Sequence, residues 1–354
     1  MDFHRTSRRK FLTGGAALIA ANAASSETRP RPVVSVVRIV NDKTGTAVEK
    51  AIDLLGGIKQ VTHGINTVML KPNLVSPMAA ATTKPAVVRA GAELMKRAGK
   101  EVSIGEGSAV APKFNMAGAE MFRTRKREIL DPMQQYVFEQ LGYAELAQTL
   151  RIPLVNLHSG DLVDVAVPGG FVFDKITLHR SLAGVDLLCS VPMMKTHTLA
   201  TVTLGMKNLI GAFPGTVYQS VRGHMHDVSS NVEPTGVSAV IVDMVRANKL
   251  GLVVIDGSMA MEGNGPWMGR AVKMDVIVAG TNPVAADMVG ASLMGFQPSE
   301  IPTFAWANRA GLAPRSLDEI EIRGEPVERV RRAFLKPDVQ PWNVVRRVWA
   351  VREL

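Results

Sequence analysis

The chain carries a single cysteine, Cys189, among 354 residues. One thiol cannot close an internal disulfide, and an iron–sulfur cluster takes about four ligands. No iron–sulfur cluster is therefore expected in this chain. Cys189 lies in the apolar run VDLLCS and reads as a small buried hydrophobe rather than a nucleophile. Aromatic residues are scarce, at 5%. With no nucleic-acid motif alongside, that scarcity argues against DNA or RNA as a partner. GEGSAVAP (105–112) is not a G-x-G-x-x-G turn, so a dinucleotide site is not supported. A Walker loop, a G-x-S-x-G elbow and an HExxH pair are also missing.

What is there suits a globular chain. The residues are 46% hydrophobic and 21% charged, enough apolar material for one large core or two smaller ones. The 18 methionines fill gaps in such cores and need no cofactor role. The formal charge of +9 sits partly in the first ten residues and is otherwise spread along the chain.

Residues 6–24 read TSRRKFLTGGAALIAANAA. Arg8 and Arg9 precede Phe11-Leu12, a short apolar run and the small-residue site Ala21-Asn22-Ala23. The run is too short for a span and contains Gly14-Gly15. This order predicts a twin-arginine export signal over residues 1–24, with an uncleaved anchor as the alternative. It makes the twin-arginine translocase a partner during export and the destination periplasmic or extracellular. That route carries folded proteins, which is compatible with a cofactor loaded before export.

Beyond Pro32 apolar runs alternate with helical patterns. VVSVVRI, TVMLKPN, EVSIGEGS, PLVNLHS, VDLLCSVPMMK, LGLVVIDGS, MDVIVAG and IEIRG read as strands. Helices are expected at 46–55, 84–98, 131–150 (begun by Asp131-Pro132), 236–248 and from Pro283 to Gly295. This alternation predicts an α/β fold over 33–324, one mainly parallel sheet flanked by helices. DLVDVAVPGGFVFDKITLH (161–179) adds an antiparallel hairpin around Gly169-Gly170. Residues 119–131 form a basic insertion, a loop or helix. The tail, 325–354, is basic and ends in WNVVRRVWAVREL. Trp342, Val345, Val348, Trp349 and Leu354 fall near one helical face. A helix docked on the body or on a second copy is expected there, with a membrane surface as the alternative.

Open α/β sheets bind ligands beyond the carboxyl ends of their strands. The polar residues that end these strands are Lys71, Asn73, Glu106, Ser108, Lys195, His197 and Asp256, with Glu262, Asn264, Asn282 and Asp287 following. Each alone reads equally well as a turn, a cap or half of a structural ion pair; their convergence makes a site. VPMMKTHTLATVTLGMKNLIGAFPG (191–215) adds Lys207 and Asn208 among glycines. Lysines at 71, 195 and 207 suit an anionic substrate, and a buried one with a lowered pKa could act as a base. GHMHD (223–227) spaces His224 and His226 so that an extended segment would aim both at one divalent metal. Surface or capping histidines are the equal alternative.

VMLKPNLVSP, TTKPAVVRAGAELMKRAG, VSIGEGS, the 191–215 stretch, VIDGSMAMEGNGPWMG and VAGTNPVAADMVGASLMGF, in this order, resemble the domain-of-unknown-function 362 family from about Val68 to about Gly311. Members often carry a ferredoxin-like module with two four-iron sites; one cysteine cannot supply it, so any redox role would need a partner or another cofactor. The resemblance implies a site of Lys71, Asn73, Glu106, Lys195, His197, Lys207, Asn208, Asp256, Glu262 and Asp287. It implies no reaction. The expectation is an exported enzyme for a small anionic substrate. Lys195 or His197 would move protons, and Lys71 and Lys207 would hold the anion. Glu106, Asp256 and Glu262 would be acid/base groups or metal ligands, and Gly205 and Gly211 would admit the ligand. The alternatives are a periplasmic ligand- or metal-binding protein and an accessory subunit of an exported redox complex; a homo-oligomer is compatible with each.

Overall fold

Strand pairing in the computed structural model follows the predicted alternation. It describes residues 30–118, 120–232, 236–341, 343–345 and 352–354. The export signal and most of the predicted tail helix lie outside the described residues.

Among the described residues eleven strands form the main sheet: β1 (Val33–Arg38), β2 (Thr67–Pro72), β3 (Glu101–Glu106), β4 (Leu154–Asn156), β5 (Leu187–Val191), β6 (Met193–His197), β7 (Thr201–Thr203), β8 (Leu250–Glu262), β9 (Arg270–Val272), β10 (Val276–Gly280) and β11 (Glu321–Gly324). Their continuous order is β11-β1-β10-β8-β5-β2-β3-β4. The run from β8 through β5, β2 and β3 to β4 is parallel, and β10 is antiparallel to both neighbours. The fold is thus α/β with a mostly parallel mixed sheet. β6 pairs with β7 and β8 beyond the carboxyl end of β5.

Side chains alternate across each strand and feed two cores. Val68 and Leu70, Leu187 and Cys189, Leu252 and Val254 face helices α1 (Thr44–Asp53), α2 (Pro85–Arg97), α3 (Arg127–Gln140) and α4 (Tyr143–Leu150). Met69, Leu188, Val253 and Ile255 face α5 (Gly205–Asn208), α6 (Gly223–Ser229), α7 (Gly236–Ala247), α8 (Pro283–Leu293) and α9 (Pro302–Arg309). Cys189 is buried. Asn282 caps α8 by accepting from the Ala285 N–H at 3.0 Å, with Pro283 in the first turn. The predicted hairpin pairs Leu162–Ala166 with Lys175–His179 and docks Ile176 and Leu178 in the second core.

Four local expectations need correction. The run 185–195 is two strands, because Pro192 separates β5 from β6. β8 runs on to Glu262, so Asp256-Gly257 lies inside a strand, not at a turn. The helix expected from Asp131 starts at Arg127 and takes Pro132 into its interior. The basic insertion is a short strand, Glu120–Arg123, followed by the first turn of that helix.

The described part of the tail is a strap. After a helical turn at Val327–Val330, Arg332 N–H donates to Leu293 O, Leu335 N–H to a Glu262 carboxylate oxygen and Gln340 N–H to Thr198 O. Arg352–Glu353 then pairs in parallel with Glu120–Arg123.

Candidate functional site

Alternation in β2 sends Lys71 away from Val68 and Leu70, and it meets Glu106 from the end of β3. Lys71 Nζ lies 2.9 Å from Glu106 Oε1, 3.2 Å from Asn208 Oδ1 and 3.1 Å from Pro72 O. All three residues are buried. Glu106 also accepts from Gly107 N–H at 2.8 Å and Leu74 N–H at 2.8 Å. The Asn208 amide donates to Lys71 O and Ser190 Oγ. Burial lowers the Lys71 pKa, against the opposing pull of Glu106. Every polar group here has partners, as a buried ion pair requires.

The loop carrying Lys207 is set by Asp287. Its carboxylate, reaching from α8, accepts from Gly205 N–H at 2.7 Å and Met206 N–H at 2.8 Å, buried first-turn donors of the short helix α5 that have no partner within the helix. Burial raises the Asp287 pKa to about 7, although both N–H groups favour the charge. Gly205 and Gly211 are close-approach positions, but to the protein itself. A Cβ on Gly205 would sit 2.6 Å from a Val253 methyl, and one on Gly211 would sit 2.8 Å from Lys71 Nζ.

A cavity of about 80 Å³ opens beside this framework. Its polar wall is Asn73, Glu106, His197, Lys207, Asn208, Arg222 and His226; Val75, Ile210, Val221 and Trp267 form much of the apolar wall. Glu106 is the only carboxylate among the described lining residues. The Lys207 side-chain amine makes no hydrogen bond or ion pair among the described residues, and its pKa falls to about 7 through burial, then through Lys71 and Arg222, with Glu106 opposing. Burial, then Lys207, holds the pKa of His197 well below its usual range and takes that of His226 to about 3. Both imidazoles are neutral at pH 7. The Asn73 amide oxygen is buried without a partner among the described residues.

Arg222 was not singled out from the sequence. It is buried and donates to the carbonyls of Gly107, Ser108, Ile210 and Gly211, tying together the loops after β3 and α5. Burial lowers its pKa to about 10. It contributes charge to the cavity rather than a free fork of donors. Gln219, Val221 and Arg222 hold φ of 64°, 59° and 60°, a left-handed conformation costly for residues other than glycine. Trp267 was also not singled out; it lies in the loop 263–269 between β8 and β9, which places it on the cavity wall.

Five residues implied by the resemblance lie off its wall, and Lys71, expected to hold the anion, is one of them: its amine is spent on Glu106, Asn208 and Pro72 O. Lys195 is buried and donates to Ala81 O at 2.7 Å and Pro266 O at 3.2 Å, stapling two loops. Asp256 accepts from Lys84 N–H at 2.8 Å and from Ser258, which anchors the start of α2. Glu262 accepts from Arg270 and from Leu335 N–H at 2.9 Å, so it holds the strap. Asp287 caps α5. His224 and His226 also separate: they stand on α6, not on an extended segment. At about 100° per residue the helix turns their side chains apart, leaving His224 exposed and His226 on the cavity wall. Among the described residues, no group of three or more His, Cys, Asp or Glu is placed to hold a metal.

The sequence family described as Domain of unknown function (DUF362) matches residues 68–292, more than half of the chain. The chain belongs to this family. It is 27% identical over 312 residues to the thylakoid-associated protein sll1697 of Synechocystis sp., covering 86% of this chain and 88% of that protein. Among solved structures it is similar to the lactate racemase apoprotein of Thermoanaerobacterium thermosaccharolyticum (TM-score 0.42, 15% identity, 75% of this chain and 57% of that one). A structural-genomics protein of Thermotoga maritima is similar at a TM-score of 0.41 and 13% identity, over 72% of this chain and 58% of that one. The chain thus spans less than two thirds of the length of either solved structure.

Proposed function

We propose that this protein is an enzyme that binds a small anion in the cavity and moves a proton through Lys207. One observation carries the reading. Lys207 reaches the cavity without a partner among the described residues, while the only carboxylate on that wall, Glu106, is held by Lys71 and two backbone N–H groups. The wall therefore has uncompensated positive charge, which favours an anion. The unpartnered Asn73 oxygen marks a second position for a ligand group. A lysine with a pKa of about 7 is divided between acid and base at neutral pH, the condition general acid–base catalysis favours. The cavity of about 80 Å³ has room for a small molecule.

The test is exchange of acidic C–H protons in deuterium oxide. Small carboxylates with a C–H next to a carbonyl, pyruvate among them, are followed by NMR with wild type and Lys207→Met. Exchange above buffer that disappears in the variant supports the reading. Tight binding without exchange for every carboxylate points to a binding protein instead. Export belongs to the same reading and is supported by Arg8, Arg9 and the residues that follow them. An Arg8→Lys/Arg9→Lys variant is expected to stay in the cytoplasmic fraction.

A further inference from the structure

We infer that His197 serves the cavity as a hydrogen-bond donor of fixed tautomer, presenting Nε2–H to an oxygen of the bound anion, and is neither the base nor a metal ligand. The inference rests on the anion-site reading above and adds the role of a second residue to it.

The backbone around His197 is held on both sides. Thr196 Oγ1 donates to Gly263 O at 2.7 Å, and Thr198 N–H donates to Gly265 O at 3.1 Å. Across the β6–β7 pair His197 stands opposite Thr201. Leu199 N–H then donates to His197 Nδ1 at 3.0 Å. An imidazole nitrogen that accepts a hydrogen bond uses its lone pair to do so. In the neutral ring the proton must then sit on the other nitrogen. Nε2 therefore carries hydrogen and has no lone pair to offer a metal or to accept a substrate proton.

The surroundings keep the ring neutral. His197 is buried, and the titratable groups that act on it are Lys207, Lys195 and His226, all of which disfavour a second proton, with no carboxylate among them. Taking up a second proton is disfavoured on every side. A neutral N–H donor beside a lysine divides the labour: Lys207 exchanges the proton, while His197 receives the oxygen on which charge develops. Such a donor, fixed before the ligand arrives, reorganises little during the reaction.

The experiment uses the full chain labelled with ¹⁵N-histidine and ¹³C-lysine, observed at pH 7 with acetate as the probe anion. The expected spectrum has His197 as the Nε2–H tautomer, and acetate shifts that N–H together with the Lys207 signals. A gain-and-loss pair of variants gives an independent readout. His197→Gln can place an amide N–H near Nε2 and is expected to keep acetate affinity within a few-fold. His197→Asn reaches only the Nδ1 position and is expected to lose about tenfold or more, the usual effect of removing a hydrogen bond to a charged group. An Nδ1–H tautomer, equal affinities for the two variants, or zinc bound stoichiometrically through His197 would overturn the inference. If Lys207 responds to acetate and the His197 N–H does not, this inference fails while the anion site stands. If neither responds, both fail.

Discussion

Lys71 Nζ and Glu106 Oε1 are 2.9 Å apart, each essentially without solvent exposure. The pair joins the ends of two adjacent parallel strands and uses up the carboxylate that would otherwise neutralise Lys207. Removing one partner leaves the other charge buried. Lys71→Met is expected to cost about 3–5 kcal/mol of stability. Lys71→Met/Glu106→Gln together should cost clearly less than Lys71→Met alone. Urea denaturation of both variants checks this, and equal losses would contradict the pairing.

Lys207 should lower the stability of the ligand-free protein. Its pKa is about 7 in the folded chain against the ordinary 10.5. Between those values the unfolded chain holds more protons, so stability rises with pH across that window. Below about pH 7 the full penalty for a buried charge applies. Lys207→Met is therefore expected to raise Tm, most strongly below pH 7 and by little near pH 10.5, while abolishing acetate binding. Thermal melts across that range test both the sign and the window.

Asp287 is expected to behave as a cap and not as a substrate ligand. Asp287→Ala leaves the Gly205 and Met206 N–H groups without acceptors, at about 1–3 kcal/mol each. The Asp287 pKa is raised from 3.8 to about 7. The folded state therefore holds the extra proton between those values, and its stabilising effect is lost as pH rises through about 7. Asp287→Asn removes that pH dependence. A wild-type stability profile with no slope there beyond that of the Asn variant would contradict the placement.

Glu262 is expected to hold the strap and leave the ligand site intact. Glu262→Gln should loosen the segment around Leu335, seen as faster amide exchange, with acetate affinity within about threefold of wild type; a change this size is below 1 kcal/mol. A loss of tenfold or more would return Glu262 to the binding machinery.

Much of this arrangement was legible in the sequence. Apolar runs ending in Lys71, Glu106 and His197 located the strand ends, and the helix start at Pro283 followed from proline's fixed backbone angle. Choosing among the polar residues was not possible at that stage. Lys195 and Lys207 are alike in sequence, but one ends on two backbone carbonyls and the other in the cavity. Asp256 looked like a strand end because Asp-Gly resembles a turn, yet pairing with β10 carries the strand straight through it. Arg222 depends on left-handed backbone at residues that rarely adopt it, for which composition gives no signal. His224 and His226 misled because the two-residue spacing has opposite meanings on a strand and on a helix.

The most direct measurement is an NMR titration of Lys207 in ¹³C-lysine-labelled protein, with and without acetate. The expected result is an apparent pKa of about 7 in the free protein, moving upward when acetate binds and favours the charged amine. An ordinary value near 10.5, unchanged by acetate, would contradict a lysine-centred anion site.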